Sequence, residues 1–150
     1  MVKIMFVCHG NICRSPMAEF IMKDMVKRIG LEDNFFIASC ATSREELGHG
    51  VYPPARDELK KHGIDCFGKR SVQLTAADYN KYDMLICMDS YNVRNALKIL
   101  GDDPDKKVKK LMDFTDRPGD VDDPWYNDRF DIAYRDIYDG CKALLDHITA

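Results

Sequence analysis

The sequence predicts an α/β fold of three layers, a central four-stranded parallel sheet with helices on both faces. Two observations predict it. Short apolar runs alternate along the chain with segments of helical periodicity. Strands that alternate with helices pair in parallel through crossovers, which cover both faces of the sheet. A third observation locates the site. The first strand-to-helix turn carries Gly, Asn, Cys and Arg, at the carboxyl end of a strand, where such folds bind ligands.

The elements follow in order. Val2 to Val7 is a β-branched apolar run broken only by Lys3 and reads as a buried strand. From Pro16, residues Ala18, Ile21, Met22, Met25 and Ile29 share one helical face, and Gly30 is the stop. Phe35 to Cys40 is the second strand. Pro53-Pro54 opens a helix that ends at His62-Gly63. Asp83 to Met88 is a third buried strand. Asp89 or Ser90 caps the helix after it, and Gly101 ends that helix. Val108 to Phe114 is expected as a fourth strand. Thr115 to Tyr126 is rich in Asp, Pro and Gly and reads as a long loop. Asp128 to Ile148 is the last helix.

Composition bounds the function. The chain has 150 residues, with 22 Lys+Arg against 25 Asp+Glu and a formal net charge of −3. That length predicts one domain, residues 1–150, with core enough to need no disulfide or metal staple. The small acidic excess argues against a general grip on nucleic acid or anionic lipid. No apolar run approaches the ~18 residues of a membrane span, and no export signal is visible. The six cysteines (8, 13, 40, 66, 87 and 141) are therefore expected reduced, in a cytoplasmic protein. Cys40 and Cys87 lie inside apolar runs and read as small buried hydrophobes.

The run Cys8-His9-Gly10-Asn11-Ile12-Cys13-Arg14-Ser15-Pro16 joins the first strand to the first helix. Ser15 is expected as the N-cap, with Pro16 at the first helical position. A short loop here curls so that successive N–H groups and the helix dipole form an anion cradle. Gly10 and Asn11 tolerate the left-handed backbone that curling needs. Cys8 places sulfur beneath a bound anion. Arg14 closes the ring with a planar, bidentate donor for phosphate oxygens. A helix N-terminus and a guanidinium favour thiolate over thiol, so the loop describes a nucleophile aimed at phosphorus. Zinc binding by Cys8, His9 and Cys13 lacks a second ligand pair, and a nucleotide P-loop lacks its Gly-Lys-Ser/Thr ending.

The fuller run Val7 to Glu19 resembles the signature of the low-molecular-weight protein tyrosine phosphatases. Likeness continues at Ala41-Thr42-Ser43, Pro53-Pro54-Ala55-Arg56, His62-Gly63-Ile64, Asp83 to Asp89 and Asp123-Pro124-Trp125-Tyr126, and so covers nearly the whole chain. The resemblance implies hydrolysis of phosphotyrosine and aryl phosphate monoesters through a cysteinyl-phosphate on Cys8, with no cofactor and no metal. It implies that Ser15 hydrogen-bonds the Cys8 sulfur, that Asn11, supported by Ser39, holds the loop strained, and that Cys8 and Cys13 pair when oxidised. It further implies phosphotyrosine-bearing proteins or peptides as partners, affinity for phosphate-like oxyanions, and a monomer or weak self-association.

A leaving alkoxide or phenoxide needs a proton donor, which the cradle lacks. The loop Asp120-Val121-Asp122-Asp123-Pro124-Trp125-Tyr126 offers three carboxylates, and the residues alone do not choose among them. The resemblance chooses Asp123, the Asp before Pro, with Trp125 and Tyr126 as the substrate rim. Trp125 stands where many relatives carry the first of two tyrosines. Ile12 stands where relatives that act on phosphoarginine tend to carry Thr, and so favours phosphotyrosine. Arg44-Glu45-Glu46 puts charge where many relatives have an aromatic rim residue.

A thiol-dependent arsenate reductase of the same fold is the alternative. It requires two further cysteines close together, whereas Cys87 is followed next by Cys141. A phosphocarrier, whose cysteinyl-phosphate must survive, would have no use for Arg14 and Asp123.

Overall fold

A computed structural model describes residues 1–150. Four parallel strands, β1 (Val2–Cys8), β2 (Phe35–Ala41), β3 (Met84–Cys87) and β4 (Val108–Lys110), form one sheet in the order β2-β1-β3-β4. The register pairs Val2 with Phe35 through Cys8 with Ala41, and Ile4 with Met84 through Val7 with Cys87. The helices are α1 (Arg14–Arg28), α2 (Pro53–Lys61), α3 (Asp78–Lys81), α4 (Ser90–Leu100), α5 (Pro124–Asn127) and α6 (Phe130–Thr149).

β1 is central, and its side chains enter two cores in turn. Ile4, Phe6 and Cys8 join the core under α1, α2 and α6, while Met5 and Val7 join the one under α3 and α4. Burial on both faces explains why the strand reads as a continuous apolar run from Ile4 onward. Met17, Ile21 and Met22 of α1 pack with Ile137, Cys141 and Leu144 of α6, all buried. Cys40 and Cys87 are buried as expected. No helix is long and apolar enough to cross a membrane.

Several boundaries differ from the sequence reading. α1 starts two residues early, at Arg14, because the Cys13 carbonyl already accepts from the Met17 N–H at 3.1 Å. Cys13 is therefore the N-cap and makes no side-chain capping bond. Ser15 and Pro16 are the second and third helical residues. Pro16 is tolerated there because the first four N–H groups of a helix have no intrahelical partner. The expected strand at Val108 to Phe114 stops at Lys110 and becomes a 3-10 turn, Leu111–Phe114, which buries Leu111 and Met112. The loop from Thr115 to Tyr126 ends inside α5, which Asp123 caps and Pro124 opens. The short α3 went unread. Asp89 does cap α4, with Asn92 returning the bond as a capping box.

Candidate active site

β1 runs into the loop His9 to Cys13, and the loop runs into α1. Asn11 adopts a left-handed backbone, φ 58°, whereas Gly10 does not. The curl thus rests on Asn11 alone. What Gly10 supplies is room, since a Cβ there would lie 3.4 Å from Cγ of Glu46.

The loop is lashed to its neighbours. The Ser71 hydroxyl donates to the Gly10 carbonyl at 2.8 Å, and the Val72 N–H donates to Asn11 Oδ1 at 3.2 Å. Asn11 Nδ2 donates to Ser15 Oγ at 2.8 Å and to Ser39 Oγ at 2.9 Å. The Ser39 hydroxyl donates to Glu19 Oε1 at 2.6 Å. Glu19 is buried and also meets Lys23 Nζ at 2.5 Å and Lys69 Nζ at 3.6 Å. Lys69 donates to the Ser39 carbonyl at 2.8 Å. Burial pushes the Lys69 ammonium below its usual range, against the opposing charge of Glu19. Glu19 and Lys69 are not legible as site residues in the sequence. Glu19 reads there as one more residue of a motif, and only tertiary contact reveals its partners.

At the centre of this frame lies Cys8 Sγ. It is 2.9 Å from Ser15 Oγ and accepts from the N–H groups of Asn11 at 3.3 Å and Ser15 at 3.4 Å. That arrangement explains why Ser15 does not cap α1: its hydroxyl is turned to the sulfur and to Asn11. Cys13 is also buried, and burial, with the charges on Cys8 and Asp123, pushes its thiol far up. The two cysteines of one loop thus sit in unlike surroundings.

Arg14 is buried, with Nη1 donating to Asp89 Oδ2 at 2.7 Å and to the Val121 carbonyl at 2.8 Å, and Nη2 lying 3.4 Å from Asp123 Oδ2. Burial opposes its charge, but Cys8, Asp123 and Asp89 outweigh that and hold the guanidinium above its usual range. Asp89 is a site residue the sequence analysis missed. A cap at Asp89 or Ser90 was legible, but the pairing of Asp89 with a residue 75 positions away was not.

The three carboxylates left open by the loop sequence part ways here. Asp120 accepts from Ser90 N at 3.1 Å and Lys110 Nζ at 3.0 Å. Asp122 is exposed. Asp123 alone of the three lines the cavity, with Oδ1 accepting from the Trp125 N–H at 3.0 Å.

That cavity, of about 550 Å³, opens over Cys8. Ile12, Cys13, Arg14 and Asp89 line it, together with His9, Glu45, Glu46, Tyr91, Trp125 and Tyr126 at its mouth. Ser39 stands behind the loop. Trp125 is propped on Tyr52, ring centroids 4.8 Å apart, while Tyr126 is 84% exposed. No three His, Cys, Asp or Glu side chains converge as a metal site, Cys8, His9 and Cys13 included. In chemical terms the cavity presents a sulfur held by N–H donors, a fixed guanidinium, and Asp123 as the carboxylate that the Asp120 to Tyr126 loop contributes.

Comparison with known proteins agrees. The family model described as low molecular weight phosphotyrosine protein phosphatase matches residues 3–150. The low molecular weight protein-tyrosine-phosphatase YfkJ of Bacillus subtilis is 32% identical over 150 residues, covering 99% of this chain and 96% of the relative. Its crystal structure superposes with a TM-score of 0.96, covering 99% of this chain and 95% of that one. The Schizosaccharomyces pombe low molecular weight phosphotyrosine protein phosphatase is 35% identical over 154 residues, 99% of this chain and 97% of its own. The low molecular weight protein tyrosine phosphatase of Streptococcus pyogenes is 38% identical, with a TM-score of 0.90, covering 100% and 95% of the two chains.

Proposed function

Because the chain belongs to the low-molecular-weight phosphotyrosine protein phosphatases, a family of hydrolases, we propose that it hydrolyses phosphotyrosine and aryl phosphate esters by covalent catalysis at Cys8. The observation that carries the reading is one cavity holding Cys8 Sγ among N–H donors, with Arg14 and Asp123 beside it.

The Cys8 thiolate attacks phosphorus in line, opposite the ester oxygen. The P–O bond breaks and Asp123 gives its proton to the departing phenolic oxygen, which leaves cysteinyl-phosphate. Asp123, now a carboxylate, takes a proton from water. The water oxygen attacks phosphorus and expels the Cys8 thiolate with inorganic phosphate. Arg14 and the loop N–H groups hold the equatorial oxygens through both steps. The Ser15 hydroxyl stabilises the thiolate each time it is released. Trp125 and Tyr126 flank the aromatic leaving group, and Ile12 gives it an apolar wall. A cytoplasmic location and a monomeric or weakly associating state belong to the same reading.

The thiols also speak for hydrolysis over arsenate reduction. Cys87 and Cys141, the two thiols that follow in the chain, lie in different cores and do not form a pair for a redox relay.

Steady-state release of p-nitrophenol from its phosphate tests the reading. Wild type is expected to turn over without added metal. Cys8→Ser is expected to be inactive, and Asp123→Asn to lose ~10²–10⁴ in kcat. Folded, reduced protein without turnover overturns the reading. Turnover undiminished in Asp123→Asn removes the acid from that position.

A further inference from the structure

We propose that the mouth of the cavity reads a basic residue next to the phosphotyrosine, so that the preferred substrates are phosphotyrosyl polypeptides with Lys or Arg flanking the target. The inference rests on the phosphatase reading and goes beyond it in naming the substrate class.

Two features of the mouth carry it. The first is its charge. Glu45 and Glu46 stand on the segment after β2, at the rim of the cavity. Glu45 Oε2 lies 3.0 Å from His9 Nε2, and Oε1 has no protein partner. The Glu45 side chain is 70% exposed and so meets an approaching chain before the phosphate is seated. Glu46 packs its stem toward Gly10 and holds its carboxylate 2.6 Å from His49 Nδ1. The permanent cation of the cavity, Arg14, is already paired with Asp89 and Asp123. Above the phosphate seat the lining therefore carries carboxylates, with His9 the one basic side chain beside them.

The second feature is aromatic. Trp125, Tyr126 and Tyr91 are all substantially exposed around the same opening. Exposed ring faces attract ammonium and guanidinium groups. The chain itself shows this mode, since the Arg94 guanidinium lies 5.7 Å from the Tyr91 ring centroid. Arg94 occupies that ring, which leaves Glu45, Glu46 and Trp125 at the mouth for a cation of the substrate. On the far side of His9, Lys98 and Asn95 line a shallower depression of about 310 Å³, where an acidic flank would be drawn instead. The two sides make opposite predictions. The Glu45 side is favoured because it shares the deep cavity with the phosphate seat.

The test compares two phosphotyrosyl peptides that differ only in their flanking residues, Lys/Arg in one and Asp/Glu in the other. The kcat/KM of each is read from phosphate release by wild type, Glu45→Gln/Glu46→Gln and Glu45→Lys. Wild type is expected to favour the basic peptide roughly five- to twentyfold at low salt, the range that two exposed ion pairs and a cation–π contact supply. Raising the salt from about 20 mM to about 500 mM is expected to erase most of the ratio by screening. The ratio should approach one in Glu45→Gln/Glu46→Gln and fall below one in Glu45→Lys. Equal use of both peptides by wild type overturns the inference. So does preference for the acidic peptide, which would place the reading at Lys98. So does a basic preference that persists in both variants. Loss of turnover on p-nitrophenyl phosphate and on both peptides by wild type is a different failure, that of the phosphatase reading itself.

Discussion

Arg14 Nη1 and Asp89 Oδ2 meet at 2.7 Å, and the other oxygen of the same carboxylate caps α4, 2.7 Å from the Asn92 N–H. One side chain thus orients the guanidinium and starts the helix after β3. The two duties separate by mutation. Asp89→Asn keeps an oxygen for the cap but removes the charge, so stability should change little. Its kcat/KM on p-nitrophenyl phosphate should fall about 10- to 100-fold, the worth of one charge-assisted hydrogen bond. Asp89→Ala should add a loss of about 1 kcal/mol in denaturant unfolding, for the missing cap.

Asn11 combines a left-handed backbone with three side-chain hydrogen bonds, to Ser15, Ser39 and Val72. Asn11→Gly spares the backbone but breaks the bonds. Asn11→Ala does both kinds of harm, and should be the less stable of the two by about 1 kcal/mol. Both should lose kcat, because Ser15 is no longer held against the sulfur. Equal stability of the two variants would show that the loop relaxes out of its left-handed turn.

Cys13 is proposed as the partner that rescues an oxidised Cys8. Peroxide converts the Cys8 thiolate to a sulfenic acid. The Cys13 thiol then attacks that sulfur and releases water, giving a disulfide that dithiothreitol reduces. Wild type treated with peroxide should therefore regain most activity on reduction, and Cys13→Ala should not. Full recovery of the variant would refute the pairing.

Gly140 sits in α6 against Leu111, and a Cβ there would lie 2.5 Å from Leu111 Cγ. Glycine to alanine in a helix ordinarily gains about 1 kcal/mol. Overpacking here costs about 1–3 kcal/mol, so Gly140→Ala should be destabilised overall by up to about 2 kcal/mol. Its Tm should fall by several degrees, and a higher Tm would mean that Leu111 gives way freely.

Asp103 accepts from the Tyr79 hydroxyl at 2.7 Å, and from the N–H groups of Lys107 at 2.7 Å and Val108 at 3.2 Å. Burial pushes its carboxyl up, but these bonds outweigh burial and hold it below the usual carboxylate range. A carboxyl held lower in the folded state stabilises the fold above its unfolded pKa, about 3.9. That stabilisation disappears as pH falls through the folded value. Asp103→Asn should be less stable than wild type at pH 7, and the gap should close in urea titrations as pH drops below about 4. A gap independent of pH would assign the effect to geometry instead of charge.

Local chemistry accounts for what was legible in the sequence. The strand-loop-helix unit from Val2 to Arg28 could be read because burial on both sides leaves β1 apolar from Ile4 to Cys8, and because a left-handed turn favours Asn. A cap at Asp89 or Ser90 could be read because both side chains can accept from the first N–H groups of a helix, and the structure places it at Asp89. What escaped depends on distant partners. The Glu19–Lys69 pair and the second duty of Asp89 both depend on contacts between residues far apart in the chain. The end of β4 at Lys110 was not legible because Leu111 turns inward to pack against α6, a tertiary contact that the sequence from Val108 to Phe114 does not reveal. Asp123 could be separated from Asp120 and Asp122 only by family resemblance, since their spacing within the loop is equivalent chemistry.

Val121 gives the loop that carries Asp123 a fixed station. Its N–H donates to the Met88 carbonyl at 2.8 Å and its own carbonyl accepts from Arg14. The segment bearing the proposed proton donor is therefore clasped both at Met88, just after β3, and by Arg14, the residue proposed to grip phosphate. Ordering that segment is an entropy cost met once, on folding, rather than at every catalytic cycle. On the proposed mechanism, the donor needs no loop closure before the reaction. Turnover should be insensitive to solvent viscosity and should follow the intrinsic reactivity of the phosphoryl group.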